Sequence, residues 1–184
     1  LSHLSEPVDI PDARTVSKFL PACDPKYPIL DLNDPKIFNV VAFPDTNEEF
    51  ERDKQISMLN AFETLQKAYQ DFEQIFGRKY QDVETYRVED AEIVLATMGA
   101  AAGMAMMVVD QLRSQGDKVG LVKVRTFRPF PRRQLRAILS HTRVVGVLDR
   151  DLSIGSTGIL FQELQSSLYN QQQRPLMQNF IAGL

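Results

Sequence analysis

Blocks of apolar residues alternate with blocks of helical period through the second half of the chain. Three apolar runs have the length of strands, and they cover residues 91–98, 119–127 and 144–148. Each is followed by a segment in which apolar residues recur every three or four positions, and the first run stops at Gly99. This order is typical of buried strands in a parallel sheet. We therefore predict an α/β fold with a mainly parallel open sheet and flanking helices.

The turn residues bound the helices of this half. The first helix is predicted to end at Gly116, the second to cover residues 132–140 after Pro131, and the third to follow the loop 153–158. A last strand is predicted within residues 178–181. The predicted sheet-facing residues of the first helix are Ala101, Ala105, Val108, Val109 and Leu112.

The first half of the chain has a different pattern. Residues 1–45 hold seven of the ten prolines and none of the nine glycines, which predicts an extended arm, with little regular structure, anchored by its apolar residues. A capping box at residues 46–49 and an apolar stripe that stops at Gly77 predict a long helix. Residues 78–90 are polar and are predicted to form a turn. The predicted division is an extended interdomain arm, 1–45, a long helix with its connector, 46–90, and an α/β domain, 91–184.

Candidate functional residues follow the predicted strands. Right-handed crossovers bring the carboxyl ends of parallel strands to one edge of the sheet, where ligands bind in open α/β folds. At this edge we expect Asp149 to hold an arginine and the loop that follows to face neighbouring domains. The candidate interface or anion-binding residues are Gly99, Arg128, Asp149, Arg150, Ser153, Gly155, Ser156, Thr157 and Gly158.

The 153–158 loop has two interpretations. Small hydroxyl residues and glycines before a helix expose backbone N–H groups that suit a phosphate or a carboxylate. Alternatively, Ser156 or Thr157 caps the helix and the glycines shape a close interface. A dinucleotide site is disfavoured, because Gly99 and Gly103 do not form the required G-x-G-x-x-G pattern.

Composition narrows the function classes. A net charge of −3 gives no basic field for nucleic acid or an anionic membrane. One cysteine, Cys23, provides neither an internal disulfide nor the thiolates of an iron–sulfur cluster. With no apolar run of transmembrane length and no signal peptide, we expect a cytoplasmic chain, and Leu1 in place of methionine indicates a fragment or a processed subunit.

Several short motifs together resemble one enzyme family. They are Met98-Gly99, Phe127-Arg128-Pro129-Phe130-Pro131, Leu148-Asp149-Arg150 with Ser153, Gly155 and Gly158, and, earlier, Ser2-His3, Glu6-Pro7, Phe19-Leu20-Pro21 and Phe76-Gly77-Arg78 with Tyr80. The chain resembles the alpha subunit of pyruvate and other 2-oxoacid:ferredoxin (flavodoxin) oxidoreductases over most of its length. The resemblance implies the transketolase C-terminal-like domain of that subunit, which follows its pyrimidine-binding domain.

The resemblance also implies where the chemistry lies. Enzymes of this family use thiamine diphosphate, coenzyme A and iron–sulfur clusters to oxidise a 2-oxoacid to an acyl-CoA. The diphosphate motif Gly-Asp-Gly is missing here, because Gly116-Asp117 is followed by Lys118. We therefore expect a structural or assembly domain that binds no cofactor alone and is inactive when isolated. Its expected partners are the pyrimidine-binding domain, the other subunits and, through the holoenzyme, ferredoxin or flavodoxin.

Two other function classes stay open on the sequence. A stand-alone binder of a small anion or a nucleotide would use the 153–158 loop. A pure interaction scaffold would have a strong partner interface and no ligand.

Overall fold

The structure is a computed structural model, and it describes residues 8–20, 22, 29–37 and 41–183. The chain divides into two compact units, Leu1–Tyr80 and Gln81–Leu184. Helices and strands are numbered in chain order. Their bounds are α1 Ala13–Phe19, α2 Pro44–Phe76, β1 Val83–Tyr86, β2 Ile93–Thr97, α3 Ala101–Ser114, β3 Val119–Val124, α4 Arg132–Leu139, β4 Val144–Asp149, α5 Ile159–Leu168 and β5 Leu176–Ile181.

The described residues of the first unit form one short and one long helix. α1 begins where the Asp12 carboxylate accepts the backbone N–H groups of Arg14 and Thr15, each at 3.0 Å. The prediction of an arm with little regular structure therefore needs a correction over seven residues. Residues 1–7, 21, 23–28, 38–40 and 184 lie outside the described residues, and they include Cys23 and the Ser2-His3 and Glu6-Pro7 motifs.

The long helix is confirmed, but its predicted start is wrong. α2 begins at Pro44, whose missing N–H suits the first turn, and Phe43 is the N-cap. Thr46 already lies in the first turn, where its hydroxyl donates to the Phe43 carbonyl oxygen at 3.0 Å. The helix ends at Gly77 as predicted. The ring of Phe19 from α1 contacts Phe72 and Phe76 of α2, with centroids 5.4 and 5.7 Å apart, which anchors α1 by apolar contact.

The second unit is built on one five-stranded sheet in the order β1-β3-β2-β4-β5. β2, β3, β4 and β5 are parallel, which confirms the mainly parallel sheet. β1 is antiparallel to β3, with Val83 opposite Val124. Residues 83–86 are thus an edge strand and not the expected turn, and they belong to the same unit as the rest of the sheet.

Helices pack on both faces of this sheet. α4 and α5 cover one face, where the core includes Leu135, Leu164 and the fully buried Val145 and Val147. α3 packs on the other face against Leu121. Ala102, Ala105 and Val109 are its buried residues, whereas Val108, predicted to face the sheet, is 53 % exposed because it lies on the flank of the helix.

Candidate functional site

The carboxyl ends of β2, β3 and β4 meet at one edge of the sheet, as predicted. They border a pocket of about 530 Å³. Its lining is Thr97, Met98, Gly99, Phe127, Leu148, Asp149, Arg150, Asp151, Ile159 and Leu160. Of the nine candidate residues, the pocket includes Gly99, Asp149 and Arg150, and its walls are mostly apolar.

Asp149 caps the helix that follows its strand. Its carboxylate oxygens accept the backbone N–H groups of Leu160 at 2.9 Å and Phe161 at 3.2 Å. These are donors of the first turn of α5, which otherwise have no intrahelical acceptor. The expectation that Asp149 holds an arginine is therefore wrong, and so is the expectation that Ser156 or Thr157 caps α5.

Asn179 on β5 completes this network, and the sequence reasoning did not identify it. Its side-chain nitrogen donates to Asp149 at 2.8 Å, and its side-chain oxygen accepts the N–H of Gly158 at the same distance. One amide thus connects the end of β4 to the start of α5. Asparagine is rare inside strands, and this was the signal available in the sequence.

The surroundings of Asp149 raise the pKa of its carboxyl group. The residue is only 3 % exposed, and burial raises the pKa of its carboxyl above the ordinary value. The donors on Leu160, Asn179 and Phe161 act in the opposite direction, and the nearby charge of Asp151 adds to the increase. Burial has the largest effect, because removing a carboxylate from water disfavours its charged form.

The two glycines of the loop are in different surroundings. A Cβ atom on Gly158 would lie 2.2 Å from the Cγ of Asp149, so the carboxylate can reach α5 only because this position has no side chain. Gly155 has a φ of +81° and open space around its Cα. Gly158 therefore serves the internal network, whereas Gly155 serves a turn at the surface.

The other loop residues bond within the loop and to α5. The Ser153 N–H donates to the Thr157 carbonyl oxygen at 3.1 Å, and the Ser156 N–H donates to the Ser153 carbonyl oxygen at 2.8 Å. The side chain of Gln162 donates to the Ser156 hydroxyl at 3.2 Å. Ile154 is 97 % exposed at the tip of the loop.

Both candidate arginines have acceptors away from Asp149. Arg128 donates to a carboxylate oxygen of Glu163 at 2.6 Å and to the Phe127 carbonyl oxygen at 2.8 Å. Arg150 lines the pocket but donates to the Gly183 carbonyl oxygen at 3.2 Å. Glu163 was not among the predicted site residues, because its position on α5 resembles any solvated helix position. The structure brings Asp149 together with Gly158 and places both arginines with other partners.

The polar residues of this edge mainly hydrogen-bond with one another. Over the described ranges, no group of three or more histidine, cysteine, aspartate or glutamate residues is arranged to hold a metal ion. No helix among these residues is long and apolar enough to cross a membrane. The described edge can therefore fix strand ends and present a mostly apolar pocket with one buried carboxyl group.

Comparisons with known proteins agree on one family. Residues 91–184 match the family model described as pyruvate:ferredoxin oxidoreductase core domain II. Pyruvate synthase subunit PorA of Pyrococcus horikoshii is 41 % identical over 184 residues, which cover all of this chain and 47 % of that protein. Ketoisovalerate oxidoreductase subunit VorA of Pyrococcus abyssi is 39 % identical, with the same two coverages. The chain thus spans about half the length of the curated relatives it matches.

One solved structure is similar at low identity. It is a 2-oxoglutarate:ferredoxin oxidoreductase from Magnetococcus marinus with 2-oxoglutarate, coenzyme A and succinyl-CoA bound. The TM-score is 0.42 at 19 % identity, over 68 % of this chain and 21 % of that one. The family match, together with the similarity to the two Pyrococcus subunits along the entire chain, confirms the resemblance found in the sequence. The chain belongs to the pyruvate:ferredoxin oxidoreductase core domain II family.

Proposed function

We propose that the chain is the non-catalytic assembly part of the alpha subunit of a 2-oxoacid:ferredoxin oxidoreductase, with pyruvate as the favoured substrate. The observation that carries the proposal is the similarity to a pyruvate synthase subunit along the entire chain, at 41 % identity. The holoenzyme would oxidatively decarboxylate the oxoacid to an acyl-CoA with thiamine diphosphate, coenzyme A and iron–sulfur clusters on other domains or subunits.

The described edge does not fit a phosphate group of such a cofactor. A phosphate at a helix start needs free backbone N–H groups. At α5 those of Leu160 and Phe161 donate to Asp149, and that of Gly158 donates to Asn179. Asp149, Arg150 and Asp151 all line the pocket, so two carboxyl groups stand beside one cation there. This arrangement supports a non-catalytic role and disfavours the alternative of a stand-alone anion or nucleotide binder.

The surface of the loop supports a role in assembly. Ile154 and Leu152 are 97 % and 43 % exposed beside the pocket-lining residues. Exposed apolar side chains grouped at a loop are suited to contact with another protein. We assign this contact to the catalytic domains of the same enzyme, among them the pyrimidine-binding domain and the other subunits, with ferredoxin or flavodoxin as the electron acceptor of the holoenzyme.

A substrate panel tests the proposed function. The subunit that carries residues 1–184 would be co-expressed with its partner subunits, and viologen reduction would be measured with coenzyme A and pyruvate, 2-oxoisovalerate or 2-oxoglutarate. We expect coenzyme A-dependent reduction with pyruvate as the best substrate. A pure complex that contains the chain and oxidises none of the three oxoacids would contradict the proposal.

A further inference from the structure

The two faces of the sheet are covered unequally. On the face of α4 and α5, Val145 and Val147 of β4 are fully buried. On the opposite face α3 lies over β3 and β2, around Leu121. Within residues 81–183, the main helix contact on that second face is the one that α3 makes with β3 and β2, and the exposure of Leu176 and Phe180 shows that the β4–β5 half is more open.

The more open half is mostly apolar, with one polar residue, Gln178, and no charged residue among the six strand residues. Residues of β4 and β5 that lie side by side on this face are Val144, Gly146, Leu148, Leu176, Gln178 and Phe180. Leu176 is 74 % exposed and Phe180 is 52 % exposed. The Phe180 ring lies across Gly146, where a Cβ atom would be only 3.2 Å away from it. Two large apolar side chains are thus open to water on one flat surface.

α3 provides a wall beside this surface. The side of α3 that carries Asp110 faces β1, because the Asp110 carboxylate accepts the Tyr86 hydroxyl at 2.8 Å. At 3.6 residues per turn, Val108 lies about 160° around the helix from Asp110, on the flank toward β4, and Met104 lies about 120° around, next to Val108 on the outer side of that flank. They are 69 % and 53 % exposed. We call the surface formed by these two residues and the six strand residues the β4–β5 groove.

We propose that the β4–β5 groove receives an apolar helix from the part of the oxidoreductase subunit outside residues 1–184. This inference rests on the proposed function. The matched region is 47 % of the pyruvate synthase subunit, so more than half of that relative lies outside it. The floor has no charge to pair with a polar partner, and two strands are about 10 Å wide, which is the diameter of one helix.

Methionine oxidation in the assembled enzyme tests the location. Met104 and Met107 are 69 % and 74 % exposed in this chain. At 3.6 residues per turn, Met107 lies on the side of α3 opposite the buried Ala102, Ala105 and Val109. With hydrogen peroxide as the probe, we expect Met104 to oxidise roughly tenfold more slowly than Met107, because oxidation follows exposure. Equal oxidation rates would overturn the proposed location.

Charge substitutions test the function of the groove. We expect the double variant Met104→Glu/Leu176→Glu to reduce the yield of assembled complex by roughly tenfold, because an unpaired carboxylate is costly to bury. Met107→Glu is the matched control on the same helix and should assemble normally. Normal assembly of the double variant would overturn the proposed groove, whether or not the assembled complex oxidises pyruvate. Pyruvate oxidation by that complex would show that the proposed function still holds.

Light scattering tests the other possible occupant of the groove. A dimer of the 184-residue chain that is lost in the double variant would identify a second copy of the chain as the occupant and overturn the proposed helix.

Discussion

Gly158 and Asp149 depend on each other at the start of α5. The carboxylate of Asp149 occupies the space that a side chain at position 158 would need, since a Cβ atom there would lie 2.2 Å from its Cγ. The bonds from Leu160 and Phe161 hold the carboxylate in that place. A larger residue at 158 must therefore displace a buried, hydrogen-bonded group.

A pair of glycine substitutions tests this dependence. We expect Gly158→Ala to lower the free energy of unfolding by about 3 kcal/mol, because it combines overpacking with broken buried hydrogen bonds. Gly155→Ala, which meets only an unfavourable positive φ, should cost about 1 kcal/mol. Urea denaturation of the 184-residue variants measures both. Equal losses of unfolding free energy in the two variants would show that Gly158 does not support Asp149. That result would favour the interpretation in which both glycines shape an interface.

The short strand β1 is held to β3 by charge as well as by its ladder. The carboxylate of Glu84 lies 3.2 Å from Lys123 Nζ and accepts from Arg125 Nε at 3.0 Å. Burial alone would raise the pKa of Glu84, but the bonds from Arg125 and Lys123 outweigh it and hold the pKa below its usual value. A lowered pKa means that the folded state favours the charged carboxylate.

The lowered pKa of Glu84 determines how its contribution to stability changes with pH. The contribution of Glu84 is present above the unfolded pKa of about 4.3 and is lost as the pH falls through the lower folded pKa. For a partly exposed pair we expect Glu84→Gln to cost about 0.5 kcal/mol at neutral pH and almost nothing below the folded pKa. Unfolding curves of both proteins across this pH range test it. A difference that stays constant with pH would contradict the assigned cause.

The helix α1 depends on a single aromatic anchor. Phe19 contacts Phe72 and Phe76 edge-on, and the described helix has no fully buried residue of its own. A seven-residue helix is too short to be stable without such contacts. We expect Phe19→Ala to remove hydrogen-exchange protection from residues 13–19, whereas Phe50→Ala, at a 54 % exposed position of α2, should leave it unchanged. Retained protection in Phe19→Ala would contradict the anchor.

The predictable elements were those with a continuous sequence signal. β2, β3 and β4 are buried strands, so each appears as an apolar run, and the edge where they end followed from their order. β1 was missed because it has only four residues at a sheet edge, and Val83 is the one buried residue among them. α1 was missed because it lies between prolines. The Asp149 cap was missed because its acceptor and donors are 11 and 12 residues apart and only the tertiary fold joins them.

At the scale of the whole molecule, the chain forms one five-stranded sheet over its described residues and spans about half the length of its curated relatives. The second unit has its own core on both faces of the sheet. Its polar groups at the carboxyl edge are largely paired with one another, and the matched relatives are about twice as long as the chain. These observations support an assembly part whose activity depends on the rest of the oxidoreductase.

Turnover with pyruvate tests that claim most directly. The 184-residue chain and the complete subunit complex would each be mixed with pyruvate, coenzyme A, thiamine diphosphate and a viologen acceptor, and viologen reduction would be followed by absorbance. We expect reduction by the complex and none above the buffer background by the chain alone. Pyruvate-dependent reduction by the chain alone would contradict the assignment of a non-catalytic assembly part.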